Sequence, residues 1–289
     1  MSDAYAEADL RRALAEVGIG RGDLVHLHSA LFALGPFEGA EPGAIPERIH
    51  GVIRDVLGKE GTLTVPAAFE DYARLGTPYD TRRSPVDRAQ GAFGQYVASL
   101  PESVRTYCPL AAVAGVGPLA AEICHQPTGS AYGVGSAWQK LLEHDAHLAF
   151  LGVRPHDAFT FVMLIQFQFG VPYLYNKLYD VPVYEDGREV SLPVTAAVRY
   201  LDPHYRIRES CVRFEERLEA AGLLRRATVG RGRLASFPSA RAVFEEGVRL
   251  LSEDLYGFLR EPPAFVPGRI PTDGNTGPFV PDEQRFVTR

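Results

Sequence analysis

Residues 24–69, LVHLHSALFALGPFEGAEPGAIPERIHGVIRDVLGKEGTLTVPAAF, decide the fold class. The opening LVHLHS alternates like a strand and turns at Ser29. PGAIPERIHGVIRDVLG then repeats its apolar positions at helical spacing, and GTLTVPAAF supplies a second apolar strand. Two strands separated by a helix point to parallel pairing, because parallel neighbours need a long crossover that a hairpin cannot provide.

On the N-terminal side, YAEADLRRALAEVG predicts a helix that Gly18 and Gly20 end. Downstream, Glu70 to Arg88 is polar and rich in Pro and Arg, which reads as a long surface loop, and loops of such length are often functional. A helix is expected from Gly91 to Leu100, a short buried strand at LAAVAGVG, a helix at SAWQKLLEHD and a strand at HLAFLGV. TFVMLIQFQFG has no polar face. Its length favours a buried helix, and its aromatic and β-branched content leaves a strand open. VPVYEDGREVSLPV predicts a hairpin around Asp186-Gly187. The remainder reads as helix, two short strands around Gly230 and Gly232, and a closing helix that ends near Leu259. We therefore expect one domain over 1–259 and a Pro-rich C-terminal tail over 260–289, where six prolines fall between Pro262 and Pro281.

Composition narrows the functional classes. With 289 residues and 46% hydrophobic side chains the chain can bury a large core. A net charge of −6 with scattered Lys and Arg offers no stripe for a phosphate backbone, so nucleic acid is not an expected partner. No apolar run reaches the roughly eighteen residues of a membrane span, and the polar start MSDAYAEADLRR does not resemble a signal peptide, so a cytoplasmic protein without a membrane partner is expected. Cys108, Cys124 and Cys211 have no Cys-x-x-Cys spacing. Neither a disulfide framework nor a metal site is indicated, and a cysteine that matters here would matter as a thiol.

A series of short motifs, in order, resembles the aminoglycoside 3-N-acetyltransferase family. It begins with Gly22-Asp23, His28-Ser29-Ala30-Leu31, Leu34-Gly35, Gly61-Thr62-Leu63 and Pro66. It continues through Gly91, Arg105 to Pro109, Ala114, Gly117, His125, Tyr132-Gly133, Gly135-Ser136, Leu151-Gly152 and Thr160, and closes with GRGRLASFPSARAVFEEGVRLLSEDLYGFL. Each motif alone is weak; their order from about Leu10 to Leu259 is specific. The resemblance implies an α/β/α layered fold with a central mixed sheet. It also implies no tightly bound cofactor, an acyl-CoA cosubstrate held near His28, Ser29, Leu31, Ser136 and Thr160, and a small-molecule amine acceptor.

The chain departs from the family where the chemistry sits. The family's Thr-x-x-His-x-x-Glu becomes Thr160, Met163 and Gln166, which removes the imidazole that takes the amine's proton and the carboxylate that orients it. A positioned general base contributes about 10²–10⁴-fold, and neither a thioether nor an amide can supply it. The family's Ser-x-His-Pro-x-x-Ser becomes Thr106, Cys108, Pro109 and Ala112, and its Arg or Lys before Ala33 becomes Phe32. Ser29 can cradle a phosphate at a helix N-terminus or simply cap that helix.

Cys108 is the candidate nucleophile, since a thiol accepts an acyl group far more readily than a hydroxyl. Such a relay needs a base, for which His125, His156 and His28 are candidates, with Asp157 or Asp145 as orienter. Free cysteine is also a common buried hydrophobe, His125 can serve structure, and Asp157 suits a helix cap. Three functions compete. The first is an acyltransferase of specialised, antibiotic-type metabolism that moves an acyl group from CoA or an acyl carrier protein to an amine, either directly or in two steps through Cys108. The others are a CoA-independent cysteine hydrolase or amide-forming enzyme and a non-catalytic binding protein on the same fold. The few acids between Tyr173 and Tyr184 argue against an aminoglycoside as acceptor.

Overall fold

The computed structural model describes residues 4–125, 127–200 and 205–265. Helix α1 (Glu7–Glu16) leads into β1 (Leu24–Ser29), a 3-10 turn (Leu31–Leu34), α2 (Ile45–Leu57) and β2 (Thr62–Pro66). α3 (Asp71–Leu75), β3 (Tyr79–Asp80), α4 (Gly91–Ser99), β4 (Val104–Arg105), β5 (Val113–Val116) and α5 (Ala120–Cys124) follow. The middle holds α6 (Ala137–Glu143), β6 (His147–Leu151), α7 (Pro155–Ala158), α8 (Phe161–Phe169), β7 (Leu174–Tyr179), β8 (Val183–Glu185), β9 (Arg188–Val190) and β10 (Val194–Arg199). The chain closes with α9 (Val212–Ala220), β11 (Arg225–Val229), β12 (Gly232–Phe237) and α10 (Ala240–Glu253).

Seven strands form the central sheet in the order β11-β12-β6-β1-β2-β5-β4. β1 runs parallel to β2 and to β6, as the crossover helix requires, while the flanking pairs β2-β5, β4-β5, β6-β12 and β11-β12 are antiparallel. Side chains alternate across the sheet, so each central strand feeds two cores. Val25, Leu27, Leu63 and Val65 pack with Leu10, Ile49, Ile53 and Val97 of α1, α2 and α4. Leu24, Leu148, Phe150 and Phe237 pack with Trp138, Phe161, Ile165 and Val243 of α6, α8 and α10. The result is helices on both faces of a mixed sheet.

The alternation in LVHLHS therefore does not separate a wet face from a dry one. His26 and His28 are both buried on the second face, with the His26 ring edge-on to Trp138 and the His28 ring stacked on Phe150 at 5.2 Å.

Two expectations need correction. Residues 70–88 are not a bare loop but contain α3 and β3, because fully buried Tyr72 and Tyr79 anchor them. The Tyr72 hydroxyl donates to the Val181 carbonyl at 2.6 Å and that of Tyr79 to the Thr106 carbonyl at 2.8 Å. The Asp186-Gly187 turn forms, with φ of 48° and 80°, but its second strand stops at Val190. After Leu192-Pro193 the chain pairs instead with β7, forming a β7-β10 ribbon that composition alone did not reveal. Of the Pro-rich tail, only 260–265 lie within the described residues.

Candidate active site

Ligands of open α/β sheets bind beyond the carboxyl ends of the parallel strands, where strand order reverses. β1 is that point here, with β2 on one side and β6 on the other. At its end the Ala30 carbonyl lies so close to Gly152 that a Cβ there would come within 2.4 Å, and Gly91 would likewise crowd the Ser29 carbonyl at 2.9 Å. Both glycines also hold positive φ, 73° and 79°, so the crevice is shaped by backbone packed against backbone.

Beside this crevice, at the exit of β2, lies a cavity of about 260 Å³. Pro66 and Ala68 form one side, Leu110 to Ala112 and Trp138 another, Thr160 a third, and Tyr179 with Ala196 to Val198 of the β7-β10 ribbon cover it. Its wall is mixed, apolar side chains alternating with polar surface, with Glu70 and Gln90 at one edge and Tyr132 inside. Among the described residues Glu70 is the only carboxylate in the wall, which includes no Lys, Arg, His or Cys.

Arg105 fixes that edge from below. The buried guanidinium donates to the Ala67 carbonyl through Nε at 2.9 Å and to the Ser84 carbonyl through Nη1 at 2.7 Å, and it lies 5.0 Å from the centre of the Tyr79 ring. One cation thus ties the end of β2 to the segment before α4 through backbone acceptors alone.

Of the residues nominated from sequence, Thr160 lines this cavity, at the N-terminal end of α8. Ser29 ends β1 and does not cap a helix, since no side-chain bond caps the following 3-10 turn that holds Leu31. Ser136 is buried and caps α6, accepting from the Gln139 amide at 3.2 Å. His28 is buried among rings, and desolvation lowers its pKa to about 4, so it is a neutral imidazole at pH 7.

The thiol relay is not supported by the surroundings of Cys108. The residue is 4% exposed within the core, and burial pushes its thiol up to about 12, with the Leu110 amide the only group favouring the thiolate. At pH 7 burial therefore keeps it as the thiol. Cys108 borders a narrow cleft of about 10 Å³ that shares Ala111, Ala131 and Trp138 with the main cavity, so it stands behind the cavity wall.

The proposed partners of Cys108 are engaged elsewhere. His125 follows α5, and its Nε2 meets the Tyr107 hydroxyl and Glu185 Oε1, the latter at 2.8 Å. His156 Nδ1 lies 2.6 Å from Glu215 Oε2, which also accepts the His156 backbone N–H at 2.9 Å, so this imidazole ties α7 to α9. Asp157 accepts from Arg154 Nε at 2.8 Å on the surface. Asp145 caps α10, accepting from the Ser239 hydroxyl at 2.7 Å and the Arg241 amide at 2.9 Å. None of these four lines the cavity or the cleft behind it.

The positions of the missing pair on α8 have been rebuilt. Met163 is half-buried, and the Gln166 amide donates to the Val162 carbonyl at 3.2 Å and to Glu209 Oε1 at 3.3 Å, with the Met163 sulfur 3.7 Å away. Glu209 Oε2 in turn accepts from Arg199 Nη1 at 2.7 Å. A glutamine donor is what a neighbouring carboxylate needs at 166; a second carboxylate there would be repelled.

Sequence reasoning missed Glu70. Its signal was present in the polar stretch flagged as functional, of which Glu70 is the first residue. Composition could not say that the stretch folds back over the end of β2. Among the described residues no group of His, Cys, Asp or Glu could hold a metal ion, and no helix is long and apolar enough to cross a membrane.

Comparison with known proteins bears on what this arrangement serves. A family model described as aminoglycoside 3-N-acetyltransferase matches residues 26–252. Aminoglycoside N(3)-acetyltransferase VII of Streptomyces paromomycinus is 28% identical, the match covering 85% of this chain and 91% of that protein. Aminoglycoside N(3)-acetyltransferase III of Serratia marcescens is 26% identical over 60% of this chain and 68% of its own. The crystal structure of aminoglycoside acetyltransferase AAC(3)-IVa, as apoenzyme, superposes with a TM-score of 0.71 at 25% identity, covering 90% of this chain and 93% of that one. A binary complex of AAC-IIIb with CoASH shares the fold at a TM-score of 0.73 and 22% identity, covering 90% of this chain and 100% of that one.

Proposed function

The chain belongs to the aminoglycoside 3-N-acetyltransferase family of acyltransferases, and we propose that it moves an acyl group from CoA directly to an amine of a small, specialised metabolite in the cytoplasm. The observation that carries this reading is the cavity at the carboxyl end of β2, walled in part by Thr160. On this reading the thioester arm runs past Ser29 and Leu31 toward Thr160, with Ser136 holding the start of α6 and His28 packing beneath. The acceptor occupies the apolar space under the β7-β10 ribbon. The amine nitrogen attacks the thioester carbonyl, a C–N bond forms, the C–S bond breaks, and the thiol leaves. Holding both reactants in one cavity turns the encounter into a unimolecular step.

A relay through Cys108 is the second reading. The cleft it borders, which shares three wall residues with the cavity, favours it; the raised thiol pKa and the engagement of His125 and His156 elsewhere weigh against it. A donor carried on an acyl carrier protein draws support from Phe32, which stands 86% exposed in the turn after β1 where relatives have a cation. One experiment tests the set. The protein is incubated with acetyl-CoA and a panel of primary amines, free thiol is titrated, and products and intact protein are weighed by mass spectrometry. Direct transfer gives amide and free CoA with no protein adduct. An acetylated protein that converts to amide on adding amine would replace direct transfer with the relay, and no product from any amine would refute transfer from CoA.

A further inference from the structure

The attacking nitrogen still needs a group to take its proton, and the usual imidazole is gone. Rested on the acyl-transfer reading, we propose that Glu70 is the base for the acceptor amine, and that the acceptor carries a single ammonium on a compact, ring-bearing or otherwise apolar body.

Three observations lead there. The cavity wall contains one ionisable carboxylate, and it is Glu70. The other acid near the rebuilt helix, Glu209, does not line the cavity, and Gln166 and Arg199 occupy its two oxygens. Glu70 is also held in place. Its backbone N–H donates to Asp87 Oδ2 at 2.7 Å, it stands at the start of α3, and its Oε2 pairs with Arg74 one helical turn on. That pair is solvent-facing, with the two side chains 39% and 51% exposed, so an incoming ammonium can compete for the carboxylate.

The rest of the wall sets the substrate class. Trp138, Tyr132, Tyr179, Leu110 and the alanines 196 and 197 offer ring faces and aliphatic contact. A polycation would bury several ammonium groups against one carboxylate, and an unpaired buried charge is strongly disfavoured. A monoamine leaves none unpaired.

The step balances without a further reagent. The ammonium gives one proton to the Glu70 carboxylate, and the freed nitrogen pair forms the C–N bond. The C–S bond then breaks with its electrons on sulfur, and the second nitrogen proton passes to that sulfur. Amide and thiol leave, and Glu70 returns its proton to water.

The test compares wild type with Glu70→Gln, using acetyl-CoA as donor and three acceptor types: ring-substituted benzylamines, protonated at pH 7.5; anilines, unprotonated at that pH; and the polyamino sugar sisomicin. Benzylamines should be used at least about tenfold better than sisomicin. Glu70→Gln should cut kcat about 100-fold with benzylamines and under about tenfold with anilines, which need no deprotonation before attack, with KM for acetyl-CoA unchanged. A preference for sisomicin, or a Glu70→Gln effect that is absent or equal for benzylamines and anilines, overturns the inference while acyl transfer stands. Acetyl-CoA left intact with every amine removes both.

Discussion

Replacing His28 by Phe should make the protein more resistant to acid, and the size of the gain follows from burial. The ring is stacked between Phe150 and the neighbourhood of Trp138, and desolvation lowers its pKa from 6.5 to about 4. Above pH 6.5 the imidazole is neutral in both folded and unfolded chains and contributes nothing. Between 6.5 and about 4 only the unfolded chain takes up the proton, so folded-state stability falls as pH falls; below 4 both states are protonated and the loss is complete. At roughly 1.4 kcal/mol per pKa unit, the wild type should lose about 2–3 kcal/mol through this group between pH 7.5 and 4.5. That is a sizeable share of a total stability of roughly 5–15 kcal/mol. His28→Phe keeps the ring stack and abolishes the titration, whereas carboxylates elsewhere affect both proteins alike. Urea unfolding of the two proteins at pH 7.5, 6.5, 5.5 and 4.5 gives the difference directly. Parallel pH profiles, with the two curves separated by a constant, would refute the claim that His28 is held neutral by the core.

Cys108→Ala should leave kcat within about threefold of wild type and lower stability by about 1 kcal/mol through the lost sulfur contacts, read from thiol release and chemical denaturation. Arg105→Met should cost about 3 kcal/mol, since it strands the buried Ala67 carbonyl and the half-buried Ser84 carbonyl; an unchanged unfolding midpoint would show that the cavity edge does not depend on that guanidinium. Gln166→Glu should destabilise the fold by about 2 kcal/mol at pH 7 by setting a carboxylate against Glu209. Because the new acid is forced to a raised pKa in the fold, this penalty should be present above the ordinary glutamate range and shrink as pH falls through it, which denaturation at pH 7 and 4.5 will report.

Much of the architecture could be read from periodicity. The strand, helix, strand unit at residues 24–69, the helix hidden in TFVMLIQFQFG, the Asp186-Gly187 turn and the strand pair around Gly230 and Gly232 all form where spacing puts them. Local rules sufficed there because a backbone conformation or a repeating face was at stake. They failed where the information is three-dimensional. Nothing in the order of residues says that Tyr72 and Tyr79 are fully buried anchors, nor that β10 passes over β9 to pair with β7. The site followed the same division. A motif marks Thr160, which lines the cavity, whereas no motif marks Glu70, because its place in the wall depends on how the chain folds back. For Cys108 a thiol's chemistry can be read from its identity, whereas its burial, which raises the thiol pKa, cannot.

The Gln166–Glu209–Arg199 chain has a consequence for any attempt to redesign this helix. Once an amide at 166 has come to rest on the carboxylate at 209, restoring the relatives' acid at 166 alone meets charge against charge. Reinstating histidine at 163 alone gives a base with nothing to orient it. A histidine–carboxylate pair on this helix would therefore need changes at 163, 166 and 209 together. The three side chains therefore act as one unit, and substitutions among them should combine non-additively in stability.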